Sequence, residues 1–307
     1  MGDKRMDEKT REDGLRTDLA CERMRADTAL AGVEYREDEG DGCRISRLSV
    51  KSDEGAEAIG KPQGTYVTMT FPPLWEIDDA TLSGLSRTLS GLIGEFTAAT
   101  CESVSSVLVV GLGNRYLTSD AIGPDSIREM IATRHIKSED PALFARFSDV
   151  ELSLLAPGVL AQTGIEAQLL VAGARDAVTP DLIVAIDALA ARSVSRLATT
   201  VQLSDTGIRP GSGIGNARRA LDRETLGVPV IAIGIPSVVD SATLVLDAFE
   251  RAGLSDGEIP EPLREVLNEG ASFFVSPRQS DVLTEKAARL IADAVNLTFS
   301  AGFFGEK

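Results

Sequence analysis

Histidine is nearly absent: one residue in 307, His135. A Ser-His-Asp triad would have to rest on that single imidazole, and a histidine-rich metal site cannot be built at all. His135 lies in Arg134-His135-Ile136-Lys137, which reads as the end of a helix, where a cation suits the helix dipole; a structural or surface role is expected. Cysteine is scarce too. Cys21, Cys43 and Cys101 are odd in number and far apart, so they make neither a disulfide framework nor a zinc spacing and suit a reducing cytoplasm. Aromatics are 5% of residues, which leaves Val, Ile, Leu and Ala to build the core. Lys and Arg number 31 against 47 Asp and Glu, a net charge of −16. Duplex DNA binding needs a concentrated basic face, so no direct nucleic-acid partner is expected. No run of eighteen apolar residues is present, so no membrane span is read. Met1 to Asp13 is highly charged and has no apolar stretch of the kind a secretory signal requires.

What is present is an α/β pattern. With 307 residues and 43% hydrophobic content, the chain can bury one large α/β core or two smaller ones. Residues 1–18 read as a charged leader, the first fourteen or so disordered, and 19–307 as a single domain. A β-rich subregion spans about 44–71, from Ile45, Leu48 and Val50 to the run Tyr66–Phe71, with Pro72-Pro73 closing it. A helix is predicted over 79–99, with Leu82, Leu85, Leu89, Leu92, Ile93 and Phe96 on one face. Strands at 104–111, 150–155, 182–187, 199–203 and 228–235 then alternate with helices near 120–134, within 159–172, and at 241–252 and 281–298. The polar stretch 253–270 reads as a connection or insertion. This alternation predicts a three-layer α/β/α sandwich with a mainly parallel central sheet, phosphorylase- or hydrolase-like.

Two aspartates occupy one kind of place. Asp120 follows Val107-Leu108-Val109-Val110-Gly111-Leu112-Gly113-Asn114 through Thr118-Ser119, and Asp187 follows Leu182-Ile183-Val184-Ala185-Ile186. Ligands in open α/β sheets collect at the carboxyl ends of such strands. Asp120 has a structural reading as a helix N-cap, which catalysis does not contradict. Asp187 is harder to explain structurally, because an aspartate after five apolar residues is destabilising unless it has a partner. Together the pair could share a proton and activate water without a metal or a nucleophilic side chain.

Gly111-Leu112-Gly113-Asn114 resembles half of a dinucleotide fingerprint, but Tyr116 stands where the third glycine belongs, so no nucleotide cofactor is read from it. Gly207–Asn216, with Gly211 and Gly213 at its centre, could cradle an anion through exposed N–H groups; it is not a Walker A loop, because Gly-Lys-Ser/Thr is absent. Arg192, Arg196, Arg209, Arg218 and Arg219 lie around it in sequence and suggest recognition of an acidic group; ordinary surface ion pairing is the alternative.

The same residues resemble the germination protease family of spore-forming bacteria. The matching words run in order along the chain: Arg16-Thr17-Asp18-Leu19-Ala20, Gly111-Leu112-Gly113-Asn114 with Thr118-Ser119-Asp120-Ala121-Ile122-Gly123-Pro124, Ala156-Pro157-Gly158, Ile186-Asp187-Ala188-Leu189-Ala190-Ala191-Arg192, Pro210-Gly211-Ser212-Gly213-Ile214-Gly215-Asn216, Ile231-Ala232-Ile233-Gly234-Ile235-Pro236 and Phe274-Val275-Ser276-Pro277. The resemblance implies an endopeptidase that degrades small acid-soluble spore proteins during germination. It also implies a fold like that of hydrogenase-maturation peptidases, a homotetramer, a location in the forespore or spore-core cytoplasm, and a zymogen activated by loss of its leader. The family's proposed catalytic aspartates fall on Asp120 and Asp187. Family substrates are cut after an acidic residue and before an apolar one followed by Ala, so Asp18-Leu19 is the expected self-cleavage bond, with Arg192 and Arg209 and the glycines Gly211 and Gly213 on the substrate side. No metal and no cofactor are expected. The chain departs from the family by a shortening between about 250 and 270, an unusually charged leader, and Ile122 in place of Leu. A nucleotide- or phosphate-binding α/β protein and a non-catalytic homologue are the competing readings.

Overall fold

A computed structural model describes residues 17–23, 30–211, 218–254, 260–269, 273–300 and 302. Its strands are β1 (Val33–Gly40), β2 (Cys43–Val50), β3 (Gly64–Thr70), β4 (Ser106–Gly111), β5 (Glu151–Leu155), β6 (Leu182–Ala191), β7 (Thr200–Ser204), β8 (Val230–Asp240) and β9 (Phe274–Val275). They form one sheet in the order β1-β2-β3-β7-β8-β6-β4-β5, with β9 added to β8. β4 and β6 are buried almost throughout, as strands covered on both faces are, and β2 alternates buried with more open positions. The expected three-layer α/β/α architecture is present. On one face the helices Asp79–Thr100, Ile122–Glu129 and Ser280–Phe299 pack Leu85, Leu89, Ile93, Ile122, Leu290 and Ile291 against Val109, Val184, Ile186 and Ile233. On the other face, the helix Ala167–Val178 sets Val171 against Leu108, Val110, Ile183 and Ala185.

The sheet is mixed, and its two halves differ in origin. β5, β4, β6 and β8 are parallel neighbours, with helices crossing from β4 to β5 and from β5 to β6, and this half carries both aspartates. β1, β2, β3 and β7 are antiparallel, and β7 pairs antiparallel with β8. The two-residue connection between β1 and β2 allows only antiparallel pairing. The β1–β2 hairpin turns on Asp41-Gly42, with Gly40 opposite Cys43 and Gly42 at φ 71°.

Several elements differ from their sequence expectation. β6 does not stop at Asp187 but continues to Ala191, because β8 runs beside it to Val239. Asp187 is therefore inside a strand. The helix expected over 120–134 is a 3-10 turn at Thr118–Asp120 followed by Ile122–Glu129. It ends at Glu129, where Asn296 donates to the Glu129 carbonyl at 3.2 Å and accepts the Ile131 N–H at 3.1 Å; beyond it Thr133 donates to the Val150 carbonyl and accepts the Leu152 N–H, both at 2.8 Å. His135 is exposed in the first turn of a separate short helix, Arg134–Glu139, so the helix-end charge argument does not apply to it. The polar stretch after 253 contains a helix, Glu261–Glu269. The charged leader up to Arg16 and the loop 212–217, with Gly213, lie outside the described residues.

Candidate active site

Asp120 is placed by close backbone packing. A Cβ on Gly123 would lie 2.2 Å from the Leu112 carbonyl oxygen and 2.8 Å from that of Ile186, and one on Gly111 would lie 2.3 Å from the Gly123 carbonyl. Only glycines let the start of helix Ile122–Glu129 press so closely on the ends of β4 and β6. Gly113, at φ 114°, lies under Asp120 itself. The turn is pinned from both sides. Ser237 Oγ donates to the Ser119 carbonyl at 2.5 Å, and Thr284 Oγ1 donates to that of Thr118 at 2.8 Å. The Asn114 N–H donates to Asp120 Oδ2 at 2.8 Å, which favours the ionised carboxylate. Burial outweighs that bond and raises the Asp120 pKa above the ordinary range.

Asp187 is 7% exposed, on the face of β6 that also presents Ile183 and Ala185 before it and Leu189 and Ala191 after it. Burial holds its carboxyl well above the usual carboxylate range, and the negative charges of Asp120 and Asp18 push it further up. The Ala188 N–H, donating to Asp187 Oδ1 at 2.9 Å, opposes the rise without cancelling it. The structure thus brings three acidic side chains into electrostatic contact. One, Asp187, is buried and favours its protonated form. Another, Asp120, is half-buried and accepts the Asn114 N–H.

Asp18 arrives on a segment of the chain laid along β6. β4 ends opposite Ile186, whose carbonyl accepts the Leu112 N–H, so β6 has no β4 partner beyond that point. Asp18 takes the edge there. Its N–H donates to the Ala190 carbonyl at 2.8 Å, and its Oδ2 accepts the Ala190 N–H at 2.9 Å. Glu22 continues the contact by accepting the N–H groups of Arg192 and Ser193 at 2.7 and 3.0 Å. Between them Leu19 and Ala20 are fully buried. Leu19 packs with Leu189, Ala191, Leu197 and Val239, and Ala20 with Leu48, Val50, Ile59 and Tyr66.

Residues 15–252 match the family model described as germination protease. The chain belongs to the germination protease family. It is 38% identical to a germination protease of Caldanaerobacter subterraneus subsp. tengcongensis over 94% of this chain and 95% of that one. It is 38% identical to that of Priestia megaterium, over 84% of this chain and 74% of the relative, and 33% identical to that of Clostridium perfringens over 92% and 94%. The chain therefore matches the length of the first and third relatives, and the Priestia protein is the longer one. A solved hydrogenase maturation protease, HycI of Thermococcus kodakarensis, matches 59% of this chain and 99% of its own at 17% identity and a TM-score of 0.33.

Germination protease membership makes the chain a peptidase, and its other sequence-derived site residues can be placed against that. The Arg192 guanidinium pairs with Glu250 on helix Ser241–Arg251, while Arg218 lies 3.7 Å from Glu166. Arg196 donates to Thr70 Oγ1 at 3.3 Å, and Arg209 is exposed. Gly211 has φ 74°. Among the described residues, no group of three or more His, Cys, Asp and Glu side chains is arranged to hold a metal ion, and no helix is long and apolar enough to cross a membrane. Sequence reasoning missed Lys61 and Gln202, which both contact the Asp18 carbonyl. For Gln202 there was a signal, since an amide at the centre of the buried run Thr200-Val201-Gln202-Leu203-Ser204 needs a partner. For Lys61 there was none.

Proposed function

We propose that this peptidase is an endopeptidase that begins the degradation of small acid-soluble spore proteins during germination by a two-aspartate acid–base mechanism. The observation that carries the mechanism is the unequal environment of the pair: each carboxyl accepts one backbone N–H and is raised by burial, but Asp187 is buried more deeply and is pushed further up by the charges of Asp120 and Asp18. Neighbouring carboxyls in unequal surroundings divide into an acid and a base. Asp120, ionised, takes a proton from water, and the resulting hydroxide adds to the peptide carbonyl carbon. Protonated Asp187 returns a proton as the C–N bond breaks.

The chain is made as a zymogen that cuts its own leader at Asp18–Leu19. Supporting this, the described segment carries an acidic residue, a buried leucine and a buried alanine in order beside Asp187. It works as a homotetramer in the forespore or spore-core cytoplasm; the apolar side chains Phe273 and Val266, 69% and 62% exposed, are of the kind that assembly covers. Incubating the matured protein with a small acid-soluble spore protein, with and without chelator, and weighing the fragments tests this function. Defined cuts between an acidic and an apolar residue are expected. An intact substrate under conditions where the enzyme is folded and matured overturns it.

A further inference from the structure

The carbonyl of Asp18 is gripped by two side chains, one on β7 and one in the connection that leads into β3. Lys61 Nζ donates to it at 2.9 Å and Gln202 Nε2 at 3.2 Å. The other end of the same amide, Gln202 Oε1, accepts the Ala20 N–H at 2.7 Å. Gln202 is 9% exposed at the centre of β7, so its amide is fixed by packing on the strand next to β8. Lys61 follows helix Asp53–Ile59, where its own N–H closes the helix end on the Ala56 carbonyl at 3.2 Å. Burial lowers the Lys61 pKa, the Asp18 charge works against that change, and the Arg23 charge adds to it. On the amino side of the same carbonyl, the free edge of β6 holds the Asp18 N–H and carboxylate through Ala190.

We propose that Lys61 and Gln202 are catalytic oxyanion donors for the Asp18–Leu19 bond, and that Ala190 on the open edge of β6 aligns the acidic residue before it. This rests on the reading that the chain cuts itself at that bond. A positive ammonium and a fixed amide aimed at one carbonyl oxygen favour the state in which that oxygen carries negative charge. When water adds to the Asp18 carbonyl carbon, the C=O electron pair moves to the oxygen between Lys61 and Gln202. The pair returns as the bond to the Leu19 nitrogen breaks, and that nitrogen takes the proton held by Asp187. The products are an Asp18 α-carboxylic acid and a Leu19 α-amine, with one water consumed. A separate substrate of the same chemistry, with an acidic, an apolar and a small residue in sequence, fits the same cradle once the segment has left it.

The test follows self-cleavage of the full chain, a first-order process, by mass spectrometry of the new termini. Lys61→Met is expected to slow it about a hundredfold, Lys61→Arg to restore much of the rate by keeping the charge, and Gln202→Leu to slow it as well. Seating of the segment is read separately in an uncleavable Asp120→Asn background, as hydrogen-exchange protection of the Ala190 amide. Protection unchanged by Lys61→Met, with cleavage slowed, supports the donor role. Protection lost together with the rate means that Lys61 only docks the segment, and overturns it. So does wild-type cleavage in Lys61→Met. If the wild-type chain is cut elsewhere, the self-cleavage reading itself has failed, which is distinguishable because it appears before any substitution is made.

Discussion

Replacing Gly123 by alanine should separate the position of Asp120 from its chemistry. The added methyl would meet the Leu112 carbonyl oxygen at 2.2 Å, the Leu112 nitrogen at 2.6 Å and the Ile186 carbonyl oxygen at 2.8 Å. Ordinary carbon contacts begin near ~3.5 Å, so the start of the helix has to retreat by roughly 1 Å. All three obstacles are backbone atoms of the β4 end and of β6, and none can rotate away. Gly123 is not among the positive-φ glycines, so the effect is contact and not backbone strain. Overpacking of this kind destabilises by about 1–3 kcal/mol. Asp120 rides on the turn immediately before that helix, and a displacement near 1 Å in a reacting group lowers turnover by about a hundredfold. The assay is kcat on a small acid-soluble spore protein, well below the melting temperature, with Tm measured in parallel. Gly84→Ala is the control: nothing lies within 4 Å of its Cβ, and alanine in a helix interior should stabilise by about 0.5–1 kcal/mol with kcat unchanged. A folded Gly123→Ala protein with wild-type kcat would refute the argument that this packing sets Asp120.

Asp18→Ala should slow maturation while leaving the activity of the already matured enzyme intact, because it removes the carboxylate that accepts the Ala190 N–H; N-terminal sequencing over time checks it, and normal maturation contradicts it. Chelators should leave peptide cleavage unchanged; activity that vanishes with EDTA and returns with a divalent ion would reverse the acid–base account. Asp187→Asn should also change how stability depends on pH. The folded carboxyl titrates above its unfolded value of about 3.9, so its contribution is fully present below that value and is lost as pH rises through the folded pKa. Asparagine does not titrate, so the variant gains on the wild type as pH climbs from about 4 towards 8. Urea unfolding across that range reads the difference, and a pH-independent gap would contradict the assigned burial of the charge.

Much of this was legible in residue pattern. Val107–Val110 and Leu182–Ile186 are apolar on both faces, and that marks buried parallel strands whether or not their partners are known. The helix Asp79–Thr100 was readable from the spacing of Leu82, Leu85, Leu89 and Ile93. The polar ends of elements were less legible. β6 runs past Asp187 because β8 pairs with Ala188–Ala191, a long-range contact that no local alternation encodes. The helix after Asp120 ends at Glu129, whose carbonyl accepts the Asn296 amide, again a partner distant in sequence. At the site, the two aspartates could be found because a charged residue after an apolar run needs explaining. Lys61 and Gln202 reach Asp18 across 43 and 184 residues, and only the folded sheet puts them on one carbonyl. Among the arginines whose charge suggested a pocket for an acidic residue, Arg192 is paired with Glu250 and Arg209 is exposed, and the backbone N–H of Ala190 on the edge of β6 donates to the Asp18 carboxylate.

The central claim is that Asp120 and Asp187 act together as base and acid. The most direct measurement is the rate at which Asp120→Asn and Asp187→Asn proteins cleave a small acid-soluble spore protein. Each should be prepared with its leader already removed and its fold checked by circular dichroism. Each substitution should lower the rate by roughly a hundredfold or more while the spectrum and the cooperative unfolding transition persist. Near-normal turnover by either folded variant would contradict the account.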